Sequence, residues 1–238
     1  RRIGLSQSGV VQAFNKIGKR ALLQWCDQSY DHVKELDKEY SDWLCIPRSV
    51  RMTSIKPSGT VSLLNGSTPG IHFPENEYYI RRIRFSKTSD LIPTLREAGY
   101  KIEEDKYSPN TLCVEFPIKE PYFIKSKKDV SLWEQLEIAA QYQHYWADNS
   151  VSITVTFKPE EASQIKDALE MYETRLKAVS FLKYEETGYE QAPYEPITEE
   201  QYNEMIKDIT PVRRFESNEE GVGSKFCTND TCEINFGG

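Results

Sequence analysis

Between Gly9 and Glu39 the apolar residues Val10, Phe14, Ile17, Leu22, Trp25 and Val33 recur at mostly helical spacing, with an interruption near Gly18, which predicts two helices. Val50–Ile55 predicts a short strand with β-branched members, and Ser62–Leu64 begins the turn or helix that follows, with Pro57 fixing the backbone between them. The β-branched and aromatic content of Glu77–Phe85 and Thr111–Phe116 predicts two strands of one layer, and Asp90–Gly99 predicts a helix that Gly99 stops. Ser131–Trp146 predicts a longer helix. Ser131 is its cap, Glu134 completes a capping box, and Leu132, Leu136, Ala139, Ala140 and Tyr142 form its apolar face; Asn149 ends it.

Val151–Phe157 alternates Val, Ile, Val and Phe with Ser and Thr. Pro159-Glu160-Glu161 then opens a helix to about Leu176, and Ala178–Leu182 is the next strand. Strand, helix, strand is a βαβ unit, so these two strands are expected to be parallel with a right-handed crossover. Beyond Tyr184 the composition shifts to Glu, Tyr, Pro and Gly, with one helical stretch from Thr198 to about Ile209. Glu219–Ser224 has linker composition and delivers Cys227 and Cys232 to a mobile end.

The chain has 238 residues, 38% of them apolar and 28% charged, enough for a globular core. Its net charge of −7 argues against non-specific binding to nucleic acid or an anionic membrane, because nothing would release counterions from a phosphate backbone. No apolar run approaches the roughly 20 residues that span a bilayer, and Arg1-Arg2-Ile3-Gly4 carries no signal-peptide pattern, so the expected location is the cytoplasm. Five cysteines, an odd number without a dense framework, argue against a secreted disulfide scaffold. Cys26, Cys45 and Cys113 lie among apolar or aromatic neighbours and read as buried thiols.

The stretch Ser54–His72 reads as a strand running into a small-residue turn that opens a helix. Ser58, Gly59, Thr60, Val61 and Ser62 combine hydroxyls with backbone N–H groups at a helix start, which suits a phosphate; the same residues also suit a Ser/Thr-capped helix after a turn. Neither G-x-x-x-x-G-K-[ST] nor G-x-G-x-x-G is present. His72 stands either near a ligand or packed between Ile71 and Phe73, and Arg81-Arg82-x-Arg84 offers either charge for a triphosphate or a solvated strand face. Cys227 and Cys232, five positions apart, can close a small disulfide ring or form half a zinc site, although His32, His72 and His144 have no metal-ligand spacing and no metal is expected.

The segment Trp43–Ser49 through Gly70-Ile71-His72-Phe73-Pro74 resembles the corresponding part of the adenosylcobalamin-dependent ribonucleoside-triphosphate reductases. Arg1–Leu5 resembles the start of a late barrel helix of that family, and Glu77–Arg84 the segment after its phosphate turn. Asn149–Phe157 and Leu176–Leu182 look like its last barrel strands, and Cys227-Thr228-Asn229-Asp230-Thr231-Cys232 like its C-terminal redox pair.

The resemblance implies an α/β fold: residues 1–195 as the C-terminal part of a ten-stranded α/β barrel, and residues 196–238 as a partly flexible tail. It implies reduction of ribonucleoside triphosphates by a thiyl-radical mechanism, with substrate phosphates on Ser58–Ser62, Cys227 and Cys232 as a redox shuttle, adenosylcobalamin as cofactor and a thioredoxin-like protein as reductant. The family's radical-bearing cysteine and substrate-reducing cysteines belong to segments expected to precede Arg1, so an upstream barrel half is an expected partner and the isolated chain is expected to be inactive. Two other readings remain open: a non-catalytic nucleotide-phosphate-binding subunit of a split reductase, and a thioredoxin-partner redox module.

Overall fold

The computed structural model describes residues 2–59, 61–184 and 190–212. Its first strand, β1 (Arg2–Leu5), is followed by the helices α1 (Val10–Ile17) and α2 (Lys19–Trp43) and then by β2 (Arg51–Thr53), which pairs with β1 in parallel. The two helices are divided at Gly18. The segment Arg1–Leu5, expected to begin a helix, is instead strand over Arg2–Leu5. Four residues ahead of Gly9 give no helical period, and the ladder to β2 supplies the backbone partners.

Beyond β2 the chain forms the single turn α3 (Val61–Leu64) and then β3 (Tyr78–Ser86), α4 (Leu91–Glu97), β4 (Lys101–Glu104) and β5 (Thr111–Lys119). β5 is antiparallel to β3 from Tyr78↔Lys119 to Ser86↔Thr111, so the two expected strands do share a layer. β4 flanks β5, and β8 (Tyr194–Pro196) flanks β3, giving the order β4-β5-β3-β8. Neither edge strand was expected: β4 has a single apolar residue, Ile102, and β8 is three residues ending in Pro196.

α5 (Leu132–Tyr145) follows the expected apolar face, with Leu132, Leu136, Ala139 and Tyr142 at 0–1% exposure. Ser131 Oγ accepts from the Glu134 N–H at 3.2 Å, which is one half of the capping box. The Glu134 carboxylate is held instead by Lys125 Nζ at 2.5 and 2.7 Å. β6 (Thr154–Phe157) and β7 (Ser180–Lys183) are parallel as expected. Their connection starts as a tight three-residue-per-turn helix at Pro159–Gln164 and becomes α6 (Ile165–Tyr172) before ending short of Leu176. The sheet geometry carries on between the two parallel pairs: Ile55 bridges Val151 in parallel, and the Ser152 N–H donates to Ile55 O at 2.9 Å. Among the described residues no sheet closes into a barrel.

The largest core lies on this parallel layer, where Val10, Cys26, Ile55, Leu136, Tyr142, Val151, Val155 and Ala168 meet. A second cluster packs α4, through Ile92 and Leu95, on Leu112 and Val114 of β5. A third packs α7 (Glu199–Lys207), through Tyr202 and Met205, near Tyr78, Ile80 and Ile197. The boundary drawn at residue 195 therefore falls inside β8, and α7 is docked on the antiparallel sheet.

Gly99 ends α4 with φ +87°, and a side-chain carbon there would run into the carbonyl of Asp208 beyond α7, while the Thr210 N–H donates to Ala98 O at 2.8 Å. Gly99→Ala should therefore lower stability by more than about 1 kcal/mol, from the left-handed backbone and the clash together. Urea unfolding checks this, with Gly66→Ala as the control, since Gly66 also has positive φ but meets no atom within 4 Å.

Candidate functional site

Ile55, fully buried, ends the strand region, and Lys56 and Pro57 bring the chain out to the surface. Two successive tight turns follow: the Ser58 N–H donates to Lys56 O at 2.9 Å and the Gly59 N–H to Pro57 O at 2.7 Å. Ser58 is half-buried, and Gly59 and Val61 are exposed. A side-chain carbon at Gly59 would meet nothing closer than Pro57 O at 3.9 Å, so the open space there faces outward. Thr60 lies outside the described residues.

Ser62 is the staple of this turn. Its N–H donates to Ser58 O at 2.9 Å, its hydroxyl donates to the same carbonyl, and its own carbonyl accepts from the N–H groups of Asn65 and Ser67 at 3.1 and 3.0 Å. At 3% exposure Ser62 shapes the turn from inside. What the turn exposes is Gly59 and Val61, with Ser58 half-buried beside them.

The turn is fastened from both sides. The Lys56 N–H donates to Ser6 Oγ at 2.9 Å, the Gly9 N–H to Thr68 O at 2.8 Å and the Val10 N–H to Gly70 O at 3.3 Å. Gly70 has φ +54° with Lys56 O only 3.2 Å from the position of a side-chain carbon, so glycine is needed where the returning chain crosses the strand end. Gln12, buried in α1, donates from Nε2 to Gly66 O at 3.0 Å and accepts at Oε1 from the Thr68 N–H at 3.1 Å. Gln12 was not legible as a site residue, because a polar position in an amphipathic helix reads as solvent-facing.

His72 takes the packed role. Its Nδ1–H donates to Pro69 O at 3.0 Å and its Nε2 accepts from the Thr154 N–H at 3.3 Å, which fixes a neutral tautomer and ties the turn segment to β6. Burial, with the Lys127 charge adding to it, pushes its pKa below the ordinary 6.5, against the opposing pull of the Pro69 carbonyl.

The arginine run is engaged within the protein. Arg82, 8% exposed, donates from Nε to Glu115 Oε1 at 2.9 Å and pairs with Glu195 at 2.5 Å, while Lys101 reaches Glu115 at 3.3 Å. Arg84 donates to Asp105 Oδ1 at 3.0 Å, and Arg81 lies over the Tyr194 ring at 4.2 Å. These contacts tie β8 and the β4–β5 side to β3, so Arg82 is neither a free phosphate ligand nor a solvated side chain, while Arg84 is exposed and ion-paired.

Cys26 and Cys113 are buried as expected, and burial pushes both thiols up in pKa. Cys45 is exposed, at φ 52° in the turn that ends α2, because the run of apolar neighbours around it sits past the helix where nothing covers it. Cys227 and Cys232 lie outside the described residues. Among the described residues no three His, Cys, Asp or Glu side chains are placed to hold a metal ion, and no helix is long and apolar enough to cross a membrane.

No protein-family model matches the chain. Across 98% of its length it is 42% identical to the adenosylcobalamin-dependent ribonucleoside-triphosphate reductase of Euglena gracilis, covering 33% of that protein. It is 47% identical over the same share to a Dictyostelium discoideum protein named "Probable adenosylcobalamin-dependent ribonucleoside-triphosphate reductase", covering 32% of it. A crystal structure of a B12-dependent class II ribonucleotide reductase superposes with a TM-score of 0.82 at 36% identity, over 89% of this chain and 34% of that one. The chain is similar, nearly end to end, to one third of these reductases. The similarity extends to the α/β architecture described above, and the chain spans about a third of the length of the relatives it matches.

Because the folded state lowers the His72 pKa, its contribution to stability is fully present above pH 6.5 and is lost as pH falls through the folded-state value. His72→Phe should remove that part of the acid dependence and cost about 0.5–1.5 kcal/mol at pH 7.5 through the lost hydrogen bond to the exposed Thr154 N–H. Urea unfolding at pH 5 and 7.5 checks both: a slope unchanged from the parent would mean that His72 does not titrate in this contact.

Proposed function

We propose that this chain is the C-terminal part of an adenosylcobalamin-dependent ribonucleoside-triphosphate reductase, in which it supplies the substrate-phosphate turn and the redox tail. The observation that carries the reading is the similarity over 98% of the chain to reductases so named, combined with an outward-facing Ser58-Gly59 turn at the end of a parallel strand. Ligands of parallel α/β layers bind at the carboxyl ends of strands, and this turn follows β2 there. α3 is a single turn, so the Ser58 and Thr60 hydroxyls and the Val61 N–H are the proposed phosphate donors; Gly59 leaves room for the ligand, the Ser58 and Gly59 N–H groups are engaged by Lys56 O and Pro57 O, and Ser62 holds the shape.

Reduction of a ribonucleotide replaces the 2'-hydroxyl by hydrogen and consumes two electrons. In this reading two cysteines elsewhere in the reductase supply them and become a disulfide. The Cys227–Cys232 dithiol reduces that disulfide by thiolate exchange and is itself left oxidised, and a thioredoxin-like dithiol outside the enzyme restores it. Adenosylcobalamin would supply the radical to the whole enzyme. The radical cysteine would come from the upstream barrel half: Cys113 is a buried thiol held protonated, and Cys45 is an exposed turn residue.

Thr60→Val in the full reductase removes roughly one charge-assisted hydrogen bond, on the order of 1.5–3 kcal/mol, so substrate affinity should fall about tenfold or more. Unchanged affinity with an intact fold by circular dichroism would remove the turn from the substrate site. Replacing Cys227 and Cys232 together by serine should leave the melting temperature nearly unchanged and stop thioredoxin-driven turnover after the first cycle, whereas a small diffusible dithiol restores it. Multiple thioredoxin-driven turnovers in that variant would end the shuttle reading. The isolated chain should form no deoxynucleotide, and mixing it with the upstream half should restore formation. If the pair stays inactive, the non-catalytic phosphate-binding subunit is the better reading.

A further inference from the structure

Glu120, at the end of β5, is 5% exposed and has no cationic partner within hydrogen-bond reach among the described residues. Its carboxylate accepts from Gln12 Nε2 at 2.5 Å and from the Tyr79 hydroxyl at 3.1 Å, and its backbone N–H donates to Glu77 O at 2.8 Å. The groups around it are Gln12 of α1, Tyr79 of β3 and Tyr194 of β8, with Arg81 stacked over the Tyr194 ring and Glu75 acting on Tyr194. Burial pushes the Glu120 pKa up and the two donated hydrogen bonds hold it down.

Gln12 is saturated. Both amide hydrogens are engaged, one by Glu120 and one by Gly66 O, and its oxygen takes the Thr68 N–H. Its amide can stand only one way, since a flip would set NH₂ against the Thr68 N–H and oxygen against both Glu120 and the Gly66 carbonyl. Glu120, an acceptor with no proton to give when ionised, selects that orientation. From Gln12 the bonding runs on through segment 65–68 to Ser62 O and from Ser62 to Ser58 O, the floor of the turn. Thr68 is 2% exposed and its hydroxyl has no partner among the described residues, so its place is set by the backbone bonds to Gln12 and Gly9.

We propose that Glu120, acting through Gln12, is a positioning residue that fixes the Ser58–Ser62 turn from the antiparallel sheet. The proposal rests on the reading of that turn as the triphosphate site. It assigns to the β3–β5 layer, which touches no part of the turn directly in this bonding chain, the role of holding the phosphate groove in register.

The test uses the full-length reductase with a ribonucleoside triphosphate as substrate, and follows amide hydrogen exchange at Thr68. Gln12→Leu and Glu120→Leu should each speed Thr68 exchange and raise KM about tenfold with kcat within about threefold, because the loss is in substrate positioning. Glu120→Gln keeps an acceptor for Gln12 and can donate to the Tyr79 oxygen, so it should restore both readouts to within about threefold of the parent. Where the leucine variants fail to fold, Gln12→Glu serves: it places two carboxylates at the same contact, so KM should climb as pH rises and both ionise, a limb the parent lacks. The proposal is overturned if Thr68 exchange is unchanged, if exchange speeds up while KM stays constant, or if the Gln12→Glu pH profile matches the parent. If Thr60→Val raises KM and the Gln12 and Glu120 variants do not, the positioning role alone falls. If Thr60→Val also leaves KM unchanged, the phosphate reading falls and takes the proposal with it.

Discussion

A parallel layer that stops and restarts leaves buried N–H and C=O groups that must find partners, and the rest of this structure depends on how they are found. The answer is a set of glutamine side chains. A primary amide carries the same donor and acceptor as a peptide group, so it can sit where a strand would. Gln135 of α5 donates to Thr156 O at 2.8 Å and accepts from the Thr156 N–H at 3.0 Å. Gln143 donates to the carbonyls of Ala147 and Asn149 and accepts from the Val151 N–H at 3.2 Å. Outside the parallel layer Gln12 does the same for Gly66 and Thr68 in the loop after α3, and Gln191 for Glu104 and Lys106 at the end of the antiparallel β4.

The junction between β2 and the segment after α5 follows the same logic with other groups. Thr53 Oγ1 donates to Trp146 O and accepts from the Asp148 N–H, Asn149 Nδ2 donates to Thr53 O at 2.8 Å, and Trp146 Nε1 donates to Ser54 O at 3.0 Å. Tyr30 of α2 fixes Asp148 from the far side at 2.6 Å. The two parallel pairs are thus joined by side-chain bonds at places where the ladder is a single bridge.

How much of this the sequence disclosed follows from which signals are local. α5 and the β6–β7 unit were legible, since their apolar residues recur with the period of the element and their caps sit at its ends. β4 and β8 were not, because an edge strand needs neither a buried face nor length; β8 is held by Arg82 reaching Glu195. Arg2–Leu5 misled in the same way: as an edge strand it exposes Ile3 and Leu5, and its pairing is visible only from β2. At the candidate site the turn was legible from Pro57, Ser58, Gly59 and Ser62. The inward engagement of Ser62 was not, nor were Gln12 and Glu120, which lie 108 residues apart in the chain. The arginine run was ambiguous for the opposite reason: its partners Glu115, Asp105 and Glu195 all come from distant segments.

The seating of α7 has a consequence for reach. The chain beyond this helix is moored where the Thr210 N–H meets Ala98 O and Asp208 crowds Gly99, a fixed point on the antiparallel sheet. Cys227 follows Thr210 by seventeen residues, so covalent geometry alone confines its Cα to a sphere of about 61 Å around that mooring. For the proposed shuttle, that bound sets a floor under the mean local concentration of the cysteine pair about the mooring, and unseating α7 would widen the sphere and lower that floor.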